Sequence, residues 1–185
     1  MGVFDLPDGY REIKTVDFQK DKRLMAFVNA GAIAIVAAMF IVGHIIAPIS
    51  LSINLLRVLV AAIAIIAYIV AHELVHGVFI KIYSGKKAWY GFEGVYAYAG
   101  SDAYFSKRQY VVIALSPVVL LGAVLLLLNI LLPQRFWVIY IVQMTNLSGA
   151  AGDYYMTWLM SRLPPDVLVK DEGVSMTIYS KLAKE

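Results

Sequence analysis

LLRVLVAAIAIIAYIVAHELVHGVFIKI, residues 55–82, is the stretch that decides the fold of this 185-residue chain. At a rise of about 1.5 Å per residue, a helix over it is long enough to cross a hydrocarbon layer of about 30 Å. Its charged or imidazole side chains are Arg57 at one end, Lys81 at the other, and the group His72-Glu73-Leu74-Val75-His76 between them. Ionisable groups inside an apolar helix are costly and point to function. At i and i+4 the two histidines share one helix face, so both imidazoles can hold a single metal. Glu73 sits about a quarter-turn round, within reach of an attacking water. The spacing predicts zinc-peptidase chemistry within a membrane.

Working outward, the chain is 61% hydrophobic and 16% charged, with a mean hydropathy of +0.72. Its apolar residues fall into four runs, 24–47, 55–82, 110–132 and 136–159, which predict an all-α membrane protein of about four transmembrane helices. Three regions follow: an N-terminal tail (1–23), a four-helix intramembrane domain (24–163) and a C-terminal tail (164–185). The tail before residue 24 is too polar for a cleavable signal and has room for a short interfacial helix. With no cysteine in the chain, disulfides, thiolate ligands and a cysteine nucleophile are excluded, so a metal must be held by histidine and carboxylate.

Charge sets the expected orientation. Arg11, Lys14, Lys20, Lys22 and Arg23 crowd the N-terminal tail, and Lys81, Lys86, Lys87, Lys107 and Arg108 flank the second connection. Arg162, Lys170, Lys181 and Lys184 lie at the C-terminal end, whereas the other two connections carry only Arg57 and Arg135. The positive-inside rule then predicts a multi-pass protein of the cell membrane with both termini and the second connection cytoplasmic. The net charge of +3 reflects juxtamembrane residues beside a lipid bilayer and implies no nucleic-acid partner.

A catalytic zinc usually takes a third protein ligand. Apart from Glu73, Asp153 is the acid that lies deep within a predicted span, and a buried carboxylate without a partner is expensive. His72 and Asp153 each stand 17 positions after the start of a run, at 55 and 136, and equal rise puts them at similar depth. Asn146, seven residues before Asp153, would share its face on a continuous helix and is either a candidate catalytic donor to a substrate carbonyl or oxyanion, or the partner in an interhelical hydrogen bond. Gly149 and Gly152 would let this helix approach the second one closely. His44 lies toward the opposite end of the first span and Glu93 in a loop, which makes both weaker ligand candidates. Ser116-Pro117 interrupts the third span, where proline breaks the hydrogen-bond ladder and can kink the helix around a cavity.

The second connection is unusual in its aromatics and glycines, Ala88-Trp89-Tyr90-Gly91-Phe92-Glu93-Gly94-Val95-Tyr96-Ala97-Tyr98-Ala99. These favour a short β-hairpin, either an aromatic belt at the interface or an edge strand near Val95 and Tyr96 that pairs with an extended substrate.

With these residues in place, the chain resembles the site-2 protease class of intramembrane zinc metalloproteases, and more closely a bacterial family of small four-helix zincin peptidases. His72-Glu73-x-x-His76-Gly77 carries most of the resemblance. Ala114-Leu115-Ser116-Pro117 is similar to the small-residue-Gly-Pro element of the following span. Asn146-Leu147-Ser148-Gly149-Ala150-Ala151-Gly152-Asp153 departs from the usual Asn, prolines and Leu-Asp-Gly of site-2 proteases. The resemblance implies cleavage of membrane-embedded or juxtamembrane peptide bonds in a membrane protein or peptide, near the cytoplasmic face, with Zn2+ as cofactor. Two other classes fit the same ligands: a non-proteolytic zinc transporter or sensor, and a catalytically idle adaptor descended from a protease.

Overall fold

The computed structural model describes residues 3–48, 54–93 and 96–181. Strand β1 (Arg11–Asp17) leads into helix α1 (Lys22–Ile46), and α2 (Leu55–Ser84) returns. A hairpin of β2 (Trp89–Glu93) and β3 (Tyr96–Gly100) and the short β4 (Tyr104–Ser106) precede α3 (Lys107–Leu131). A turn of 3-10 helix at Pro133–Arg135 then opens the pair α4 (Phe136–Gly149) and α5 (Ala151–Arg162), followed by β5 (Leu168–Asp171) and β6 (Ser175–Ser180).

Local chemistry fixes the helix starts. The Asp21 carboxylate accepts the N–H groups of Arg23 and Leu24 at 3.0 Å each, and Asn54 caps α2 by accepting from Arg57 at 3.2 Å. Ser106 and Gln109 form a reciprocal capping box at the head of α3. Each satisfies backbone donors that the first helical turn leaves open.

The expected fourth span is not one helix. It breaks at Ala150 (φ −82°, ψ 14°) between α4 and α5, in a Gly-Ala-Ala-Gly stretch where two glycines weaken helix propensity. Among the described residues, α1, α2 and α3 are the three helices long and apolar enough to cross a membrane. Nor is the chain all-α. The N-terminal tail forms a strand instead of an interfacial helix, and β1, β6, β5 and β4 make a four-stranded antiparallel sheet in that order. Alternation explains β6, whose Met176, Ile178 and Ser180 are buried while their neighbours are partly open. The aromatic connection does form the predicted hairpin, with Tyr90 opposite Ala99 and Glu93 opposite Tyr96. Val95, the expected centre of a substrate-facing strand, lies outside the described residues.

The sheet draws its strands from the N-terminal tail, the second connection and the C-terminal tail, so those three segments meet at one end of the helices. The packed core sits at this junction. Phe105, Val167, Val169 and Ile178 of the sheet region enclose Ile80 of α2, Ile113 of α3 and Met156 and Met160 of α5. Away from the sheet the helices present apolar side chains outward, Leu55 at 82% and Ile45 at 74% exposure. There α1 and α4 are pinned by Trp137, which donates to the Ala47 carbonyl at 3.0 Å, and by Tyr140, which donates to that of Met39 at 2.9 Å. Gly43 permits this approach, since a Cβ there would stand 2.5 Å from the Tyr140 ring.

Candidate metal centre

The unbroken helix α2 places His72 and His76 one turn apart, and their Nε2 atoms face each other at 3.1 Å. Asp153, in the first turn of α5, presents Oδ2 at 3.5 Å from His72 Nε2 and Oδ1 at 3.8 Å from His76 Nε2. The matched depth expected for His72 and Asp153 is therefore met. Glu73 stands beside them, with one donor atom each from His72, Glu73 and His76 within 4.8 Å of one another.

Hydrogen bonds assign both histidine tautomers. Nδ1 of His76 lies 2.9 Å from the Ile113 carbonyl oxygen, which can only accept, so Nδ1 carries the proton. For His72 the assignment runs through a chain. The Asn146 Nδ2 group donates to the Val118 carbonyl at 3.2 Å, which turns Oδ1 toward Tyr68; the Tyr68 hydroxyl donates to that oxygen at 3.0 Å. The Tyr68 oxygen is then the acceptor for His72 Nδ1–H at 2.8 Å. Both Nε2 atoms thus point at one spot that Asp153 also faces. With each ring neutral and protonated on Nδ1, two Nε2 lone pairs at that separation repel unless a proton or a metal ion lies between them.

Zinc fits this cluster. It holds nitrogen and oxygen donors at about 2.0–2.2 Å, so two tetrahedral donors stand about 3.3–3.6 Å apart. The observed separations of 3.1, 3.5 and 3.8 Å bracket that range. Two imidazoles with one carboxylate are a zinc-type donor set, and the Nδ1 partners on Tyr68 and Ile113 hold the rings as outer hydrogen bonds do in metal sites.

Other candidates sit elsewhere. Asn146 is wholly enclosed at 0% exposure; the break at Ala150 removes the shared helical face, so its amide serves the Tyr68–His72 chain and the Val118 carbonyl, away from the cavity. A Cβ on Gly149 would meet nothing within 4 Å, and one on Gly152 only the Phe18 ring edge at 3.8 Å. These glycines leave open space before the cluster in place of a tight helix contact; the close approach of α4 to α3 is at Gly122, against Asn146 Nδ2. Glu93 is exposed at the end of β2, and His44 is exposed in the last turn of α1.

The cluster opens on a cavity of about 360 Å³ whose walls include Asn29 of α1, Tyr96 to Ala99 of β3, Gly149 and Gly152, and Asp171 and Gly173 at the β5–β6 turn. The Ala99 backbone interacts with the Glu73 carboxylate, so one edge of β3 looks toward the histidine pair. Among the described residues that edge pairs with no further strand. The hairpin is seated by Tyr90 against Gly77 and by Tyr98 against Gly173, where a Cβ on either glycine would collide with the facing ring.

Reading the sequence missed Tyr68, the Ile113 carbonyl and Asp171. Tyr68 was signalled by its place one turn before His72; the other two depend on long-range packing. Asp171 is partly buried, which pushes its carboxyl up to about 7, while the Gly173 N–H, donating at 2.8 Å, partly offsets that burial.

No curated protein matches the chain, and no solved structure does so either. Residues 65–168, from within α2 to the start of β5 and including the whole cluster, match the family described as "Putative zincin peptidase". The chain belongs to that zincin-peptidase family.

Proposed function

We propose that this chain is an intramembrane zinc metallopeptidase that cleaves membrane-embedded or juxtamembrane peptide segments near the cytoplasmic face. The observation that carries this reading is the convergence of the two histidine Nε2 atoms on one point beside Asp153. His72, His76 and Asp153 are the ligands, and Glu73 is the general base. Zinc, when bound, supplies Lewis acidity that polarises a peptide carbonyl and acidifies water. Glu73 takes the proton of the attacking water and returns it to the leaving amine. The free edge of β3 pairs with the substrate as an added strand and keeps it extended, because a helical substrate has its carbonyls engaged by its own N–H groups. Asn146 acts through Tyr68 on His72 and not as an oxyanion donor.

The apolar outer faces of α1, α2 and α3 support a bilayer setting, since such surface is costly in water. The sheet that unites both tails with the second connection supports placing all three on one side, and their lysines and arginines favour the cytoplasm. The test uses detergent-purified protein and a panel of quenched-fluorescence transmembrane peptides in liposomes. Wild type should hold one zinc and cleave; His76→Ala should lose both. Glu73→Gln should keep the zinc and lose cleavage by a factor of at least ~100. Equal zinc content with no cleavage by either wild type or Glu73→Gln would favour the zinc transporter or sensor.

A further inference from the structure

Pro117 lies inside α3 and has no N–H. In an unbroken helix the N–H of residue 117 would bond the carbonyl of residue 113. Here that carbonyl is engaged otherwise: it accepts from the Ser116 hydroxyl at 2.9 Å and from Nδ1–H of His76, on the neighbouring α2, also at 2.9 Å. Ser116 and Pro117 are both buried, as is Ile113. A carbonyl released from the helical ladder can tilt toward a neighbouring helix, and the one released here is the oxygen that fixes the His76 ring.

We propose that Pro117 is a positioning residue for the metal centre: by withholding an N–H from the Ile113 carbonyl it reserves that oxygen for His76, and so holds Nε2 of His76 toward Asp153 and His72. This rests on the reading of His76 as a zinc ligand. Ser116 has a supporting part, since its hydroxyl takes the second lone pair from within the same turn and leaves the outward one to His76. Any buried proline leaves a carbonyl that needs another donor; what singles out this one is that the donor is a ring of the metal centre.

The two roles separate in Pro117→Ala and Pro117→Gly, both of which restore the N–H. Alanine favours helix more than proline does, so Pro117→Ala should fold at least as stably as wild type. Its zinc affinity, measured by competition with a chelator in detergent, should nevertheless fall about 10–100-fold, the usual effect of losing an outer partner of a ligand. Neither variant keeps the ring whose clash bends a helix, so a pure bend would be lost in both and would lower zinc affinity without altering the His76 tautomer, whereas the restored N–H should change affinity and tautomer alike. Nitrogen NMR of the zinc-free protein, labelled at histidine, should show one Nδ1–H tautomer for His76 in wild type and a mixture in both variants. An unchanged tautomer in the variants, with or without a loss of zinc affinity, would overturn the assignment. If wild type takes up no zinc, the metal reading fails instead, and the tautomer measurement still decides whether Pro117 governs His76.

Discussion

The two halves of the candidate centre reach it by different routes. Helix α2 presents His72 and His76 through periodicity alone: thirty unbroken residues, one turn between the two imidazoles, one shared face. The facing half is assembled by interruption. The fourth apolar run must break at Ala150 before Asp153 can meet the two Nε2 atoms, and α3 must lose one rung of its ladder before His76 has a partner. A helix can display a pair of imidazoles without help, but bringing a carboxylate and outer hydrogen-bond partners to them takes departures from regular structure. Those departures fall at Gly149 to Gly152 and at Ser116-Pro117.

Removing the carboxylate that the broken half contributes is the most severe way to test this contrast. Asp153→Ala should reduce zinc affinity by more than the roughly 100-fold at the upper end of outer-partner effects, and its loss should approach that of His76→Ala. Elemental analysis after dialysis against a weak chelator reads this directly. If Asp153→Ala keeps its zinc, the regular helix binds metal without the facing half, and Glu73, already within 4.8 Å of the histidines, becomes the third ligand in its place.

The same contrast governs what the sequence disclosed. The convergence of His72, Glu73 and His76 could be read from spacing, and the approach of Asp153 to them from its being an acid in an apolar run, level with His72. The hairpin was legible in its aromatics and glycines. Of the two roles open to Asn146, the structure shows the interhelical hydrogen bond, to Tyr68 and the Val118 carbonyl; the shared face with Asp153 was inferred for a continuous helix, and the turn at Ala150 separates the two. The sheet went unseen since β1, with Arg11, Glu12 and Lys14, reads as a polar tail; its partners are more than 150 residues away, as in Arg11 opposite Ser180. Only β6 carried a local sign, the alternation of Met176 and Ile178 with polar neighbours.

A smaller effect is expected where the two halves touch through the hairpin. Gly77 follows His76 directly on α2, and the Tyr90 ring occupies the place a Cβ would take. Gly77→Ala should therefore push β2 and β3 away from Glu73 while sparing His72, His76 and Asp153. Cleavage should fall about 100-fold, the scale of a 1 Å misplacement, with zinc affinity within a few-fold of wild type. Tyr90→Ala in the same chain should recover much of the rate. A double variant as slow as Gly77→Ala would show that the hairpin seat is not what the methyl disturbs.

The least effect, and the one that probes the sheet's share of the cavity, belongs to Asp171. Its carboxyl ionises at the usual 3.8 in an unfolded chain but is raised to about 7 by burial in the fold. Between these values the folded state holds a proton that the unfolded state has released, so this group's contribution to stability is complete below about pH 4. It is lost as the pH rises to 7 and is constant above that. At about 1.4 kcal/mol per unit the full span is roughly 4 kcal/mol, and the partial exposure of Asp171 reduces it to about 1–2. Asp171→Asn cannot ionise, yet its amide oxygen can still accept the Gly173 N–H. The zinc-free variant should melt a few degrees above wild type at pH 8 and coincide with it near pH 4, by calorimetry in one detergent. A variant that melts lower at pH 8 would mean that the charged carboxylate is favoured where the sheet meets the cavity, and that the β5–β6 turn supports the site by charge as well as by shape.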